Sequence, residues 1–263
     1  MDARLIYNPT AGPRNVRADL DELRALFKEQ GWSVELRTTE RPGDATRMAR
    51  QAAANHLDVV IVAGGDGTVN EVVNGLVGSE TALGVLPVGT GNLWAKQLRV
   101  PTYTLANPLR LRKAARDLMD GSFRAIDVGE VDGHTFLCWA SAGLDAQVTT
   151  EMEPRDRTTK RLGALPYLIA AVLVAQSFQG VQTKITLDDD VVRGRTLLVM
   201  VNNIQQYGGV LEVAPRAKLD DGFLDVFVFK GLGFGYVLRH LFKIVVQRYL
   251  EDPKIVHRQA RRV

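Results

Sequence analysis

The sequence predicts an α/β protein in two parts, an N-terminal three-layer α/β domain followed by a β-sandwich-like second domain. In the first part, short runs of β-branched residues alternate with segments of helical periodicity, which is typical of a parallel sheet covered by helices. Beyond about residue 127, period-two alternation and hairpin turns such as Asp132-Gly133 indicate antiparallel strands. The 263 residues suffice for two domains, which we place at 1–127 and 128–263.

Composition limits the class of protein. With 46% hydrophobic and 24% charged residues, the chain is ordinary for a soluble globular protein. The net charge of +3 allows contact with phosphate or an anionic membrane. Because the dense basic clusters of a nucleic-acid binder are missing, we expect no nucleic-acid partner.

Cysteine content and hydropathy predict a cytoplasmic protein. The single cysteine, Cys138, excludes an internal disulfide and lies in an apolar run that predicts a core position. No signal peptide precedes the first strand, which begins near Leu5. The most apolar stretch, 162–175, is interrupted by Pro166 and falls short of the ~20 residues of a transmembrane helix. We therefore expect no transmembrane segment.

Each element of the first part follows from its local pattern. Strands are predicted at 5–7, 34–36, 59–63 and 83–87, where apolar residues are continuous or alternate with polar ones. Helices are predicted where apolar residues recur every three or four positions: at Leu20, Leu23, Leu26 and Phe27; at Ala45, Met48, Ala49 and Ala52; at Val69, Val72 and Val73; and over 107–120.

The strand at 59–63 ends in Gly64-Gly65-Asp66-Gly67-Thr68. Three glycines in four positions allow unusual backbone angles and remove side chains that would keep a phosphate away. We expect Thr68 to cap the next helix, whose start would offer unpaired N–H groups to an anion. The alternative is a plain strand–turn–helix connection, but that connection has no need of the Asp66 carboxylate. The segment therefore predicts a phosphate site.

A second glycine turn, Val88-Gly89-Thr90-Gly91-Asn92, follows the strand at 83–87. Two such turns on neighbouring strands would bring two sets of backbone donors to one edge of the sheet, as a nucleoside triphosphate requires. The turn at 8–12 also follows a strand, and ligands of open α/β sheets lie at these strand ends. Taken alone, the turn at 8–12 is only a turn.

These segments resemble, in their order, motifs of the diacylglycerol kinase catalytic-domain family, which includes bacterial lipid kinases and sphingosine and ceramide kinases. Residues 64–68 match its G-G-D-G-T signature, residues 8–12 look like its N-P-x-x-G segment, and residues 87–92 look like its P-x-G-T-x-N motif. NAD kinases share a similar core but carry a glycine–leucine–phenylalanine type segment at the last position. This difference favours the lipid kinases.

The resemblance implies an ATP-dependent kinase that transfers the γ-phosphate to a lipid hydroxyl, of diacylglycerol or a related lipid, with ATP and Mg²⁺. It implies a nucleotide site formed by Asn8, Thr39, Gly64, Gly65, Gly67, Thr68, Asn70, Glu71, Gly89 and Thr90. It also implies catalytic roles for Asp66, at the reacting phosphate through Mg²⁺, and for Asp127, in the family's D-x-G segment. From the residues alone, a loop that leads into the next helix explains Thr39 nearly as well, and a solvated position at a strand edge explains Asp127 equally well.

Residues 214–226 look like the A-x-x-x-D-G-x-L-x-V segment, where family members hold a structural Mg²⁺. The resemblance implies Asp221 as the carboxylate ligand and the carbonyls of Lys218 and Phe223 as further ligands. One carboxylate is enough, because Mg²⁺ commonly keeps several waters. From the residues alone, a D-G hairpin turn is the better interpretation of the segment, and only the resemblance favours a metal site. The run Asp188-Asp189-Asp190, between two strands, predicts an exposed turn rather than a metal cluster.

The second part is predicted to contain mainly strands. They are expected at 123–129, 130–131, 135–142, 181–187, 195–202, 223–229 and 254–263. An amphipathic helix is predicted over 236–250, packed on the sheet, with membrane-surface contact as the lesser alternative.

One family motif is missing. Family members end with a D-G-E motif whose acidic residues serve as general base, whereas this sequence stops at Val263, before the corresponding place. We expect a truncated form of a complete kinase. The alternatives are a nucleotide-binding pseudokinase and an NAD kinase-like enzyme with a soluble substrate. The expected partner is a lipid at the membrane surface, reached from the cytoplasmic side, and a homodimer remains open.

Overall fold

The computed structural model describes residues 1–102, 109–152, 165–207 and 211–263. Within these residues the chain forms two compact units. Unit 1 comprises Met1–Ala125 and Glu130–Leu137, and unit 2 comprises Ile126–Gly129 and Cys138–Val263. Unit 1 contains a parallel sheet with helices and unit 2 an antiparallel sheet, so the predicted α/β fold class is confirmed. Residues 107–108 and 162–164, which belong to predicted apolar or helical stretches, lie outside the described residues.

Unit 1 is built on a four-stranded parallel sheet of order β2-β1-β3-β4. Its elements are β1 Asp2–Tyr7, α1 Arg17–Glu29, β2 Ser33–Thr38, α2 Asp44–Ala54, β3 Val59–Gly64, α3 Asp66–Leu76, β4 Ala82–Pro87, α4 Leu93–Gln97 and α5 Leu109–Met119, followed by the short ribbon β5 Gly129–Val131 and β6 His134–Phe136. Every predicted strand of the sheet is present.

The core of unit 1 explains why β3 is central. All six residues of β3 are buried, as its run of β-branched and small side chains requires of a strand covered on both faces. On one face Ile61 packs with Phe27 of α1 and Leu111 of α5. On the other, α2 and α3 pack against each other and bury Ala49 and Val72. Burial of these apolar side chains from both faces fixes the sheet in place.

The strand register brings four loops to one edge of unit 1. Tyr7 pairs with Thr38 on one side and with Ala63 on the other, and Gly64 pairs with Pro87. The four parallel strands therefore end at nearly the same level. The loops that follow them leave from the carboxyl edge of the sheet, where ligands of open α/β sheets bind.

Unit 2 contains an antiparallel sheet in which β13, β12, β9 and β7 are successive neighbours and β8 pairs with the first half of the long β9. Its elements are β7 Trp139–Gly143, α6 Leu144–Met152, α7 Leu165–Ser177, β8 Val181–Leu187, β9 Asp190–Asn202, β10 Gln206–Tyr207, β11 Leu211–Glu212, β12 Leu224–Lys230, α8 Phe234–Val245, a 3₁₀ turn at Tyr249–Glu251 and β13 Ile255–Ala260. The turn predicted at 188–190 is confirmed, with Asp188 at φ +51°.

Three predictions for this half of the sequence are wrong. The strand expected at 123–129 is absent, because the main-chain N–H of Asp127 binds the Leu219 carbonyl, and a regular element begins only at Gly129. The strand expected at 135–142 is two strands, β6 and β7, which belong to different units. The helix expected over 236–250 ends at Val245. The helix α6 was not predicted. Within the described residues, no helix is both long and apolar enough to cross a membrane.

Candidate nucleotide site and metal loop

Three loops of unit 1, at 8–12, 64–67 and 88–92, touch one another through their main chains; we call this the three-loop edge. A Cβ atom on Gly89 would lie 2.4 Å from Cα of Gly65, and a Cβ on Gly12 would lie 1.9 Å from the carbonyl oxygen of Val88. The Gly89 N–H also donates to the Gly64 carbonyl at 3.3 Å. Glycine is therefore required at 12 and 89 for the loops to approach this closely, and the predicted neighbourhood of the two glycine turns is present.

The start of α3 lies in this edge. The helix begins at Asp66 with Gly65 as its N-cap, and no described side chain caps it. The predicted capping role of Thr68 is wrong, because Gly65 takes the extended N-cap conformation and the helix starts three residues earlier than such a cap would allow. The first N–H groups of a helix have no partner within it and carry the positive end of its dipole. The start of α3 is therefore suited to bind an anion.

Thr68 is buried and linked to the first loop. Its Oγ1 accepts a hydrogen bond from Nδ2 of Asn8 at 2.9 Å, and a hydroxyl that accepts can still donate its own hydrogen. The Oδ1 of Asn8 accepts from the N–H and the hydroxyl of Thr10 at 2.9 and 2.8 Å. A Cβ on Gly64 would lie 2.7 Å from Cβ of Thr68, so glycine is needed there too. Asn8 thus fastens the first loop to α3.

Thr39 extends the pairing of β2 with β1 at the same edge. Its N–H donates to the Tyr7 carbonyl at 2.9 Å, and its hydroxyl lies 3.5 Å from the same oxygen. The side chain is buried. Thr39 therefore lies one residue beyond the end of β2, with its hydroxyl directed at the main chain.

Asp66 is half-buried and holds the start of α4. Its Oδ1 accepts a hydrogen bond from the Trp94 N–H at 3.1 Å. Burial raises the pKa of Asp66, and hydrogen bonds from the N–H groups of Trp94 and Leu93 offset only part of that effect. A carboxylate that is poorly solvated in this way gains stabilisation from a cation placed beside it.

The loop after β4 combines an exposed tip with a buried base. Thr90 is exposed, whereas Asn92, in the left-handed region at φ +50°, is only 4% exposed. Nδ2 of Asn92 donates to the Gly89 carbonyl at 2.7 Å, and its Oδ1 has no hydrogen-bond partner within the described ranges. Asn92 fixes the shape of the loop, a role that its αL-tolerant residue type signals in the sequence.

Asn70 and Asn74, one turn apart on α3, hold β6. The amide of Asn70 donates to the Thr135 carbonyl and accepts from the Leu137 N–H, both at 3.2 Å. The amide of Asn74 donates to the Thr135 carbonyl at 2.8 Å and accepts from the Thr135 N–H at 2.9 Å. Both polar atoms of each amide are thus bound to main chain. Sequence analysis missed Asn74, and the only signal was two asparagines spaced four apart.

Glu71 faces a different neighbour. Its Oε2 accepts from the Gly43 N–H at 3.0 Å, and its carbonyl accepts from the Thr46 hydroxyl at 2.7 Å. Gly43 is the N-cap of α2 at φ +83°. Glu71 therefore fixes the start of α2. The structure brings Asn8, Gly64, Gly65, Thr68 and Gly89 together at the three-loop edge, whereas the side chains of Asn70 and Glu71 leave α3 toward β6 and α2.

In unit 2, Asp127 and Asp221 both serve the loop at 218–223, which we call the metal loop. Oδ1 of Asp221 accepts from the Phe223 N–H at 3.1 Å around Gly222, which lies at φ +76°. Oδ2 of Asp127 accepts from the Gly222 N–H at 2.7 Å, and its own N–H donates to the Leu219 carbonyl at 2.6 Å. Two residues that the sequence assigned to separate roles thus both bind the main chain of one loop.

Asp221 supplies the loop at 218–223 with one carboxylate, which accepts from the Phe223 N–H. Among the described residues, no three acidic, histidine or cysteine side chains converge in a way that could hold a metal. Mg²⁺ is commonly bound by one or two carboxylates with carbonyls and water, a set that Asp221 and the carbonyls of Lys218 and Phe223 can supply. The donor set is therefore compatible with Mg²⁺ but not with a metal that needs several side chains.

Comparison with known proteins gives matches over both units. Residues 2–131 match the family described as diacylglycerol kinase catalytic domain, and residues 138–263 match the YegS C-terminal NAD kinase beta sandwich-like domain. A protein named diacylglycerol kinase from Bacillus subtilis is 32% identical over 99% of this chain and 84% of its own length. One of the same name from Staphylococcus saprophyticus is 28% identical over 99% and 83%.

Solved structures give the same result. The crystal structure of a putative diacylglycerol kinase from Bacillus anthracis has a TM-score of 0.76 at 30% identity, and the match covers 98% of this chain and 84% of that one. A second structure, of a diacylglycerol kinase from the same organism, has a TM-score of 0.68 at 27% identity, covering 98% and 83%. The motif resemblance is thereby confirmed, and the chain belongs to the diacylglycerol kinase family.

Proposed function

We propose that this protein is an ATP-dependent lipid kinase that transfers the γ-phosphate of ATP to a hydroxyl of diacylglycerol or a related lipid. The observation that carries the proposal is the main-chain contact between Gly65 and Gly89 beside the uncapped start of α3. Backbone N–H groups reach a phosphate only where no side chain intervenes. The lipid acceptor is supported by the names of relatives that align over 99% of the chain.

In this proposal the three-loop edge binds the triphosphate. Main-chain N–H groups of Gly65 and Gly67 donate to phosphate oxygens, and the positive end of the α3 dipole attracts them. Gly89, whose own N–H donates to the Gly64 carbonyl, brings the third loop beside them. The hydroxyls of Thr68 and Thr90 add further donors, from a buried and from an exposed position. Asn8 and Thr39 complete the nucleotide side of the edge. Asn70 and Glu71 act as positioning residues, since their side chains hold β6 and α2.

Asp66 acts at the reacting phosphate. Its carboxylate keeps the hydrogen bonds from the N–H groups of Trp94 and Leu93, and its negative charge attracts a cation. When bound there, Mg²⁺ neutralises charge on the β- and γ-phosphate oxygens. The desolvation that raises the pKa of Asp66 strengthens the attraction of its ionised form for such a cation.

The metal loop of unit 2 would hold a second, structural Mg²⁺. Asp221 supplies the carboxylate, Lys218 and Phe223 supply carbonyls, and water fills the remaining positions. Asp127 then acts through this loop, because its carboxylate holds the Gly222 N–H. Its loss would loosen the segment that presents Asp221.

The test is phosphate transfer from radiolabelled ATP by the purified protein. Diacylglycerol in neutral-detergent micelles is the acceptor in one arm and NAD in the other. We expect labelled lipid with wild type, and a rate about 10²–10³-fold lower with Asp66→Asn, which keeps the acceptor for Trp94 but removes the charge. Asp189→Asn, in an exposed turn, is the matched control and should behave like wild type.

Two results would overturn the proposal. Labelled NAD without labelled lipid would assign the protein to kinases of soluble substrates. ATP binding without transfer to either acceptor, with Asp66→Asn indistinguishable from wild type, would make it a non-catalytic nucleotide-binding protein.

A further inference from the structure

A small cavity in unit 2 is lined by three cationic side chains; we call it the basic cavity. Its volume is about 290 Å³, and its lining consists of Gly194, Arg195, Lys230, Gly231, Leu232, Tyr236 and Lys254. This lining contains no aspartate or glutamate. Among the described residues, none of the three cations forms an ion pair. The chemistry of the lining is therefore that of an anion site.

Main-chain hydrogen bonds join the three segments that carry these cations. The N–H of Lys230 donates to the carbonyl of Lys254 at 2.8 Å, and the N–H of Gly231 donates to the carbonyl of Arg195 at 3.0 Å. The carbonyl of Lys230 accepts in turn from Nε2 of His240, a buried side chain of α8, at 2.8 Å. The fold itself therefore places three like charges next to one another.

Two glycines leave bare main chain in the lining of the basic cavity. Gly194 lies at φ +139°, in the region that favours glycine, and a Cβ added there would lie 3.8 Å from Cδ of Lys230. A Cβ on Gly231 would lie 2.6 Å from Cβ of Tyr236, so this position has no room for a side chain. Because neither position carries a side chain, a ligand can approach the main chain beside Lys230.

The start of α8 adds a contribution of the same sign. Tyr236, in the first turn of α8, lines the basic cavity, and no described side chain caps this helix. The positive end of a helix dipole acts within the first turn. The dipole is a secondary contribution, and the three side-chain charges remain the main one.

The charge of the basic cavity is not balanced by an acid of the described chain. The acid closest in sequence to any of the three cations is Asp252, whose carboxylate is buried. Its two oxygens accept from Arg239 at 2.8 and 3.0 Å, so its charge is already matched. Like charges that converge in this way repel one another, and a bound anion would relieve the repulsion.

We propose that the basic cavity is a phosphate site that binds inorganic phosphate or a small soluble phosphate monoester. Its volume lies near the lower end of the ~300–1,000 Å³ that is usual for small-molecule sites, which indicates a small ligand. The planar guanidinium of Arg195 can donate two parallel hydrogen bonds to one phosphate, while Lys230 and Lys254 act as point charges. The site uses residues of unit 2 alone. It does not depend on the proposed function.

The position of the basic cavity on α8 favours a soluble ligand over a lipid headgroup. Tyr236 lies one turn before His240, on the buried side of α8. The exposed apolar side chains Leu238 and Phe242 lie on the other side of the helix. A phosphate group in the basic cavity is therefore not aligned with the apolar face, as the headgroup of a membrane lipid would have to be.

The experiment is equilibrium dialysis of the purified protein against radiolabelled inorganic phosphate at constant ionic strength. At phosphate concentrations that saturate wild type, Lys230→Gln with Lys254→Gln should lose one bound phosphate per chain. Each charged donor removed should weaken binding by about tenfold. Unlabelled glycerol 3-phosphate and sulfate should displace this phosphate, whereas chloride should not. Phosphate bound at the three-loop edge stays bound in this variant, so the difference from wild type isolates the basic cavity.

Matched controls separate a built site from general charge. Arg112→Gln with Lys113→Gln removes two charges from the exposed side of α5 and should bind phosphate like wild type. Arg195→Lys keeps the charge but loses the planar fork, so it should bind phosphate with intermediate affinity.

Thermal unfolding gives a readout that a purely structural role of the lysines would not produce. Without phosphate, Lys230→Gln with Lys254→Gln should be at least as stable as wild type, because it loses like charges and not ion pairs. With phosphate about 100-fold above its Kd, the Tm of wild type should rise by several degrees, and that of the variant by less.

Three outcomes would overturn the inference: equal phosphate binding by wild type and the lysine variant, an equal loss in the α5 control, or binding of anionic vesicles through these lysines without binding of soluble phosphate. Failure of the proposed function would look different, because phosphate would still bind in unit 2 while no labelled lipid formed. Conversely, labelled lipid from a wild type that binds no phosphate in unit 2 would retain the proposed function and reject the basic cavity as a phosphate site.

Discussion

The three-loop edge of unit 1 and the metal loop of unit 2 are built in opposite ways. At the three-loop edge, main chain lies against main chain, and the approach to Gly65 leaves no room for a Cβ atom on Gly89. In the metal loop, the carboxylates of Asp127 and Asp221 hold the main-chain N–H groups of Gly222 and Phe223. The first site depends on the absence of side chains and the second on their charge.

This difference predicts how each site fails. A methyl group added at the three-loop edge acts sterically and displaces backbone, whatever the salt or metal concentration. A charge removed from the metal loop leaves the backbone free to adopt the same path and acts mainly on cation affinity. The variants below test that contrast, in order of decreasing effect.

The largest effect is expected for Gly89→Ala. Its Cβ would lie 2.4 Å from Cα of Gly65, so one of the two glycine turns must move. Equilibrium binding of a fluorescent ATP analogue should weaken by more than about 10²-fold, since a small displacement of positioned donors has effects of that size. Gly235→Ala, which has open space around its Cβ, should bind the nucleotide like wild type.

If Gly89→Ala fails to fold, Gly65→Ala provides a graded test. Its Cβ would meet Gly89 Cα at 3.4 Å, an ordinary contact, so the variant should fold and bind the nucleotide with an intermediate affinity. Equal nucleotide affinity of wild type, Gly65→Ala and a folded Gly89→Ala would show that the three-loop edge does not bind phosphate. The contrast between this edge and the metal loop would then be wrong.

Asn74→Ala should mainly affect stability. The change leaves the N–H of the buried Thr135 without its partner, while the Thr135 carbonyl keeps its longer bond from Asn70; one unsatisfied buried group costs about 1–3 kcal/mol. Urea unfolding should therefore show a loss of roughly 1–3 kcal/mol. Nucleotide affinity of the folded variant should be unchanged, because Asn74 acts on β6. Weaker nucleotide binding at full stability would contradict this assignment.

Sequence patterns predicted the parts of unit 1 that depend on local information. The buried run of β3 and the periodic apolar residues of α1, α2 and α3 correspond to the observed elements, because burial on a strand or helix imposes its period on the sequence. The glycine turns were predictable for a similar reason, since close backbone approach admits no other residue. The family resemblance rested on these same residues.

Long-range partners could not be predicted. Asn74 and Thr135 are 61 residues apart, and Asp127 and Gly222 are 95 apart, so no local pattern shows which main-chain group each side chain binds. The absence of the strand expected at 123–129 has the same cause, because Asp127 binds Leu219 instead of a neighbouring strand. The roles assigned to the individual site residues stay predictions.

Asp221→Asn should change the response to Mg²⁺ without unfolding unit 2. The amide oxygen can still accept from the Phe223 N–H, but the charge that attracts the cation is lost. We expect the Mg²⁺ concentration for half-maximal activity to rise about tenfold, and thermal stability measured without Mg²⁺ to stay the same. Asp189→Asn is the control. An unchanged Mg²⁺ response would show that this loop binds no metal and is an ordinary turn.

The smallest effect concerns pH and contrasts two aspartates of unit 1. Hydrogen bonds from Arg47 and from the Glu40 N–H lower the pKa of Asp44 to about 2, whereas burial raises the pKa of Asp66. Asp44 therefore contributes stability that is present above its ordinary pKa near 3.8 and is lost as the pH falls toward 2. Asp66 contributes to the pH dependence of stability with the opposite sign, because its ionisation at higher pH opposes folding.

The urea concentration at the midpoint of unfolding, measured from pH 6 to pH 2, distinguishes the contributions of Asp44 and Asp66. Asp44→Asn should lower the midpoint at pH 6 and flatten the decline between about pH 4 and pH 2, because the start of α2 loses its charged acceptor. Asp66→Asn should leave the midpoint at pH 6 unchanged or higher, since a buried charge is removed while the Trp94 bond is kept. Asp120→Asn, exposed at the end of α5, controls for charge alone. A fall in stability for Asp66→Asn at pH 6 would mean that its charge is held for the fold, and not for a cation at the three-loop edge.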